Sequence, residues 1–300
     1  SREQYRSLPD YRERLGAVDW PLADHQHADV FVADTAMWWL KTRPRPESLF
    51  MQIGFVGPHP PYDPPARYAE AYLEKPDLPV PTVSAGELDG LPASLKAKRT
   101  HDVAVDHDAV SWSLDPTEAQ LRRLRAHYDG NVTLIDEQIG RLLETLDEQG
   151  YLDNCVVIFM SDHGDNLGEH GLSQKWSMYD MVTRVPAIVW SPGRFAGGRR
   201  LQQLCQLFDF GPTILQLAGL EPAAQVPVTA RGDVVPVEHR VDRSHVVLVG
   251  FAAAQHVIAV EALLDGPTNT VQVKQKPRRR LADREVATAD QADQRVVGAV

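Results

Sequence analysis

The chain has 300 residues, 43% of them hydrophobic and 24% charged, enough for one large α/β domain or a domain with a smaller companion. Its net charge of −10, from 31 basic against 41 acidic residues, argues against a general nucleic-acid binder, which usually shows a basic face. No apolar run approaches the roughly 20 residues that a helical membrane span needs.

Residues 1–27 read as irregular. They open on polar, charged text (SREQYRSLPDYRERL) without an initial methionine, so the expectation is a chain cut from something longer, with its compartment unreadable. ADVFVADTAMWWLKTR, from Ala28, has helical apolar spacing at Val32, Ala36, Trp39 and Leu40. SLFMQIGF, Ser48 to Phe55, predicts a buried strand, and GPHPPYDPP behind it is a proline-rich loop that cannot continue a sheet ladder. Residues 77–114, rich in Pro, Asp and Ser, predict a long surface excursion. A helix start follows, with Asp115 as cap, Pro116 in the first position and Glu118 completing an Asp-x-x-Glu box. Its apolar stripe runs through Val132, Ile135, Ile139, Leu142, Leu143 and Leu146, with Gly130 as a candidate break and Gly150 as the stop.

CVVIFM, Cys155 to Met160, predicts a buried strand. Cys155 reads as a small buried hydrophobe, and with Cys205 as the only other cysteine no disulfide framework is implied. AIVW, Ala187 to Trp190, is another short strand, and DFGPTILQLAGLEP a helix capped by Asp209 and stopped by Gly219. Apolar strands alternating with helices imply a mainly parallel sheet covered on both faces. Beyond Phe251 no aromatic residue occurs. HVVLVG and HVIAV predict short strands, and disorder or loose packing is expected from about Asn269 onward. The cluster Arg278 to Arg280 is too short and isolated to alter the charge argument.

The chemistry concentrates in MSDHGDNLGEHGLSQKW, Met160 to Trp176. Asp162 and His163 leave the strand together, where a carboxylate and an imidazole can reach one divalent cation. Mixed oxygen and nitrogen ligation suits Mn²⁺, Fe or Zn²⁺ better than Ca²⁺. Gly164 permits a sharp turn, and Asp165 is a candidate for orienting His163. Lys175 suits a tetrahedral oxyanion such as sulfate or phosphate, and His59, behind the other strand, could protonate a departing alkoxide or phenoxide. Each has a blander reading: turn caps for Asp162 and Asp165, a surface loop residue for His59, a solvated side chain for Lys175. Glu169 and His170 read as structural, and a zinc site from His163 and His170 matches no common spacing.

SDHGDNLGEHGLSQKWSMYDMVTRVPAIVWSPG resembles the metal- and anion-binding segment of the sulfatase family, within the alkaline phosphatase superfamily. GFVGPHPPYDPP is similar to that family's second histidine loop. YDGNVTLIDEQIGRLLETLDEQGYLDNCVVIFMSDHG resembles the helix and strand leading into its metal residues, and LFDFGPTILQLAGLEP its later helix. The likeness covers roughly residues 20–222, in matching order.

The resemblance implies an α/β fold with a large, mostly parallel mixed sheet and hydrolysis of sulfate esters. It also implies one divalent metal ion, Mn²⁺ or Ca²⁺ with Fe or Zn as alternatives. By this likeness Asp162 and His163 match metal ligands. His59 and Lys175 match the pair that contacts the ester oxygens and assists the leaving group. Many arylsulfatases have Asn where His163 stands, and Asp-His is similar to the phosphonate monoester hydrolase branch. The family's nucleophile is a formylglycine made in a Cys/Ser-x-Pro-x-Arg motif, and two further aspartate ligands come from its first strand. No Cys/Ser-x-Pro-x-Arg occurs here, Ser7 to Arg12 being one position out of register. The expectation is a partial catalytic domain over residues 1–222, lacking the N-terminal nucleophile region. Residues 223–300 would form a divergent, partly disordered segment. The partner expected is a small sulfate, phosphate or phosphonate ester, with no nucleic acid and no membrane; oligomerisation is open. Two rivals stand beside sulfate-ester hydrolysis: a phosphonate or phosphate ester hydrolase, and a degenerate fragment without catalysis.

Overall fold

The computed structural model describes residues 2–84, 86–105, 112–191, 193–195, 197–202 and 204–219, and the strand segments 245–251, 262–264, 271–273 and 298–299. In chain order the elements are α1 (Arg2–Tyr5), α2 (Ala28–Thr42), β1 (Leu49–Phe55), α3 (Ala66–Leu73), α4 (Glu87–Gly90), α5 (Ala93–Ala104), α6 (Glu118–Glu148), β2 (Cys155–Ser161), α7 (Asp180–Thr183), β3 (Pro186–Trp190), α8 (Leu207–Leu217), β4 (His245–Phe251), β5 (Ala262–Leu264), β6 (Val271–Val273) and β7 (Gly298–Ala299).

Five strands form one mixed sheet in the order β1-β4-β2-β3-β7, while β5 and β6 pair separately. β4 is parallel to both β1 and β2, whereas β3 is antiparallel to β2 and to β7. Among the described residues the sheet is therefore mixed, parallel over β1-β4-β2 and antiparallel beyond β2. The reason lies between Ser161 and Pro186. That stretch contains only a 3-10 turn and the four-residue α7. No crossover helix is present to return the chain parallel, so β3 runs back beside β2.

β2 shows why its sequence is apolar throughout. Cys155, Val157 and Phe159 pack with Ala33, Met37 and Leu40 of α2 and with Ile135, Ile139, Leu142 and Leu146 of α6. Val156 and Ile158 face the other way, toward Val189 of β3 and Phe210 and Leu217 of α8. Successive side chains of a strand point to opposite faces, and here both faces are covered. β1 is different. It lies at the sheet edge, and Phe50, Gln52 and Gly54 are exposed. The buried strand predicted for Ser48 to Phe55 is thus half-buried: Ile53 and Phe55 join the core on one face, and the alternate side chains face away from it.

α6 starts later than predicted. Thr117, not Asp115, is the N-cap: its side chain accepts from the Gln120 amide, and Gln120 returns the bond to the Thr117 amide at 2.8 Å. Gly130 does not break the helix, which runs 31 residues. A Cβ at Gly130 would stand 3.0 Å from Pro64 Cγ and 3.1 Å from the Ala69 amide nitrogen. The glycine is there so that the proline loop and α3 can lie against the helix.

The region 77–114 is less irregular than its composition suggests. It contains α4 and α5, and Trp112 is buried beside Leu121, Leu124 and Tyr128. α8 begins two residues before Asp209, whose carboxylate accepts from the Gln206 amide at 2.8 Å. Cys155 is buried and Cys205 half-exposed, and neither forms a disulfide. HVVLVG is seen as β4. HVIAV, Arg278 to Arg280 and most of the chain after Asn269 lie outside the described residues. Among those described, no helix is long and apolar enough to cross a membrane.

Candidate active site

The parallel strands end at one side of the sheet, and both candidate loops leave there. β1 delivers the loop 57–65. In that loop His59 alone is not buried. The loop is held from both sides. Upstream, the buried Asp29 on the first turn of α2 accepts from the Val56 amide at 2.7 Å and the Gly57 amide at 3.0 Å. Gly57 fits because any Cβ would meet Asp29 Oδ2 at 2.6 Å. Downstream, residues 62–64 hydrogen-bond to the N-terminal segment, with Val18 N donating to Tyr62 O and Trp20 N to Pro64 O. His27, the α2 N-cap, packs under this loop with its Nε2 3.7 Å from Asp63 Oδ1, both side chains fully buried.

The imidazole of His59 is oriented by its own loop. Its Nδ1 lies 2.9 Å from the Pro60 carbonyl oxygen. A carbonyl only accepts, so Nδ1 carries the proton and Nε2 faces outward as an acceptor. Lys175 Nζ stands 3.3 Å from that Nε2. The structure therefore brings together the two residues singled out for anion contact, from opposite ends of the described site.

β2 delivers Asp162 and His163. One Asp162 oxygen accepts from the His163 amide at 2.8 Å, and the other lies 3.5 Å from His163 Nε2. His163 Nδ1 donates to the Gly164 carbonyl at 2.8 Å, leaving Nε2 with its lone pair toward the carboxylate. Two lone-pair donors converge there, within reach of one ion whose bonds to N and O are about 2.0–2.2 Å. An Nδ1–H anchored on a backbone carbonyl is the arrangement that suits a metal-binding imidazole. The pair fits part of a cation site. Among the described residues no group of three or more His, Cys, Asp or Glu side chains surrounds a common point.

Asp165 does not hydrogen-bond to His163, contrary to the role suggested by its sequence position. Its buried carboxylate accepts from Leu167 N at 2.9 Å, from Gln174 N at 3.1 Å and from Tyr62 Oη at 2.8 Å. Burial pushes its pKa up; the Leu167 amide, the Tyr62 hydroxyl, the His163 charge and the Gln174 amide each pull it down. Burial, followed by the Asp165 charge, raises the Tyr62 pKa well above the usual phenol range, which keeps Tyr62 a donor. Leu167, His170 and Gln174 all have left-handed φ values, 45°, 57° and 54°. Each such residue costs on the order of 1–3 kcal/mol and persists only where its surroundings fix it. Asp165 bonds the amides of the first and last of these.

The rest of the segment is tied down as well. Asn166 Oδ1 accepts from Ser177 Oγ, and Ser173 Oγ donates to Asp102 of α5 at 3.0 Å. His170 is structural: its Nδ1 lies 2.6 Å from Glu87 Oε1 and its ring stacks on Tyr179 at 3.8 Å. Asp29 and Tyr62 carry no local signal in the sequence, because their partners lie far along the chain.

Comparison with known proteins bears on what this arrangement does. The family model for Sulfatase matches residues 2–220. An arylsulfatase of Clostridium perfringens (strain 13 / Type A) is 31% identical over 202 residues, covering 66% of this chain and 40% of the relative. A choline-sulfatase of Rhizobium meliloti (strain 1021) is 29% identical over 278 residues, covering 86% of this chain and 52% of the relative. The crystal structure of the phosphonate monoester hydrolase of Agrobacterium radiobacter superposes with a TM-score of 0.59 at 26% identity, over 67% of this chain and 40% of that one. The chain thus spans about half the length of the curated relatives it matches.

Proposed function

The chain belongs to the sulfatase family, and on that premise we propose that its residues form the anion-handling half of a metal-dependent sulfate-ester hydrolase. Lys175 would place its ammonium on the oxygens of a bound sulfate ester, where charge builds as the ester bond breaks. His59, held by Pro60, would release a proton from Nε2 to the departing oxygen in its imidazolium form. Asp162 and His163 would hold a divalent metal ion through Oδ2 and Nε2. The chemistry supplied by such an ion when bound is Lewis-acid polarisation of the anion's oxygens. Mn²⁺ or Fe suits the mixed donor pair better than Ca²⁺. No Cys/Ser-x-Pro-x-Arg occurs in the 300 residues, so the attacking group is not among the roles assigned to this chain.

The observation that carries this reading is the 3.3 Å approach of Lys175 to His59. An ammonium beside an imidazole nitrogen that can take up a second proton supports a site for one tetrahedral anion. We further propose that the catalytic unit is residues 1–222, that residues 223–300 diverge from the family, and that the mixed sheet is part of a larger, mostly parallel alkaline phosphatase-like sheet in the whole protein.

The test uses the 300-residue chain with Mn²⁺, an aryl sulfate and a phosphonate monoester. Binding of the sulfate ester, competed by inorganic sulfate and lost in His59→Ala and Lys175→Ala, is expected, with little or no turnover. Turnover that survives both substitutions would sink the proposal, and so would a chain that binds neither ester. A second reading, phosphonate or phosphate ester hydrolysis, is favoured by the likeness to the phosphonate monoester hydrolase. Tighter binding of the phosphonate than of the sulfate would select it. A non-catalytic fragment predicts that neither anion competes at the His59–Lys175 pair.

A further inference from the structure

We propose that Asp165 is a positioning residue that sets the separation of His59 and Lys175. It would act on His59 through the Tyr62 hydroxyl and on Lys175 through the Gln174 amide. This rests on reading His59 and Lys175 as the anion-binding pair. The two side chains come from segments that share no strand or helix. His59 sits three residues before Tyr62, and Lys175 directly follows Gln174. Asp165 touches both neighbours: Oδ2 accepts from Tyr62 Oη at 2.8 Å and Oδ1 from Gln174 N at 3.1 Å.

The carboxylate is only 1% exposed. Its bonds therefore compete with almost no water and hold their geometry. Gln174 has a φ of 54°, a conformation its side chain does not favour. The hydrogen bond from its amide to Asp165 Oδ1, with that from the Asn166 amide to its carbonyl at 3.0 Å, fixes it and thereby the direction in which Lys175 leaves the backbone. At the other end, Asp29 pins Val56 and Gly57. The His59 loop is thus tied upstream by one buried carboxylate and downstream, through Tyr62, by another. Only the second also reaches the lysine segment. A shift of Tyr62 relative to Asp165 would therefore move His59 against Lys175 rather than move both together.

The experiment compares Tyr62→Phe with Tyr68→Phe in the full chain. Tyr68, on α3, also donates its hydroxyl to a carboxylate, Glu137 Oε2 at 2.7 Å, and accepts from Arg67, with no bond to Asp165. Two readouts are taken: the imidazole ¹⁵N signals of His59, and the affinity for inorganic sulfate. Tyr62→Phe is expected to shift the His59 signals and to weaken sulfate binding on the order of tenfold to a hundredfold, while Tyr68→Phe changes neither. Asp165→Asn is the second variant. It keeps an acceptor for the Leu167 and Gln174 amides but turns an NH₂ toward Tyr62, and the same His59 signals should move. The positioning role is overturned if His59 signals in both folded variants coincide with those of the wild type. A wild-type chain that binds no sulfate refutes the anion-pair reading instead, and the imidazole signals still decide the role of Asp165.

Discussion

Lys175 Nζ lies 3.3 Å from His59 Nε2, although 116 residues separate them in the chain. The ammonium can only donate, so the imidazole nitrogen is the acceptor in this contact. Lys175→Met removes the donor while keeping most of the side-chain volume. The expected result is a shift of the His59 Nε2 ¹⁵N signal toward that of an unbonded lone pair. Sulfate affinity should fall at least about tenfold, or about 1.4 kcal/mol, by calorimetric titration. An unchanged affinity would mean that the anion binds elsewhere.

Asp162 and His163 should act as a unit toward Mn²⁺. His163→Ala is expected to lower Mn²⁺ affinity by at least about tenfold, read from the loss of paramagnetic broadening near the β2 tip. His170→Ala is the comparison, since its ring is engaged with Glu87 and Tyr179. It should leave Mn²⁺ affinity unchanged and lower stability instead. Equal losses in the two variants would contradict the assignment of His163.

Stability should carry a pH signature from Asp136. Its half-buried carboxyl on α6 is raised by desolvation from 3.8 to about 7. Below the lower value both folded and unfolded chains hold the proton. Between the two values the unfolded chain loses it while the folded chain keeps it, so stability falls as pH rises through this window and levels off above it. Asp136→Asn should remove that fall. Denaturant titrations of the two proteins at pH 4 and pH 8 measure it; parallel pH profiles would count against the shift.

Gly130→Ala sets two effects against each other. Alanine is the better helix former by about 1 kcal/mol. Against this, its Cβ would stand 3.0 Å from Pro64 Cγ and 3.1 Å from the Ala69 backbone nitrogen. Backbone cannot yield as a flexible side chain does, so a net loss of about 1–3 kcal/mol is expected. A more stable variant by thermal unfolding would show that the loop and α3 retreat without cost.

Periodicity made α2, α6 and β2 legible, because each buries a stripe or run whose spacing is local. The four residues singled out for chemistry were legible by residue type and by their place after predicted strands. What local text could not show were relations that depend on sheet neighbours. The antiparallel direction of β3, the edge position of β1 and the unbroken course of α6 past Gly130 are set by partners distant in sequence. The same holds at the site. Asp29 reads as an ordinary first-turn acid, yet its carboxylate receives amides 27 and 28 residues away. Tyr62 reads as one aromatic among prolines, yet its hydroxyl reaches 103 residues on to Asp165. Capping at Thr117 rather than Asp115 was within reach, since Thr-x-x-Gln is itself a capping box; the Asp-x-x-Glu overlapping it obscured the register.

β1 and β2 do not pair with each other: β4, drawn from beyond the family-matched stretch, lies between them and is laddered to each along its whole length. The ends of β1 and β2 are therefore two strand widths apart, roughly 10 Å, although the loops beyond them meet where Tyr62 bonds to Asp165, and residues 245–251 fill the gap. During synthesis those residues leave the ribosome long after both loops have emerged. Until those residues pair, β1 and β2 each keep an unladdered border, the kind of edge that invites pairing with another polypeptide. Loss of residues 245–251 from the finished molecule would recreate that state.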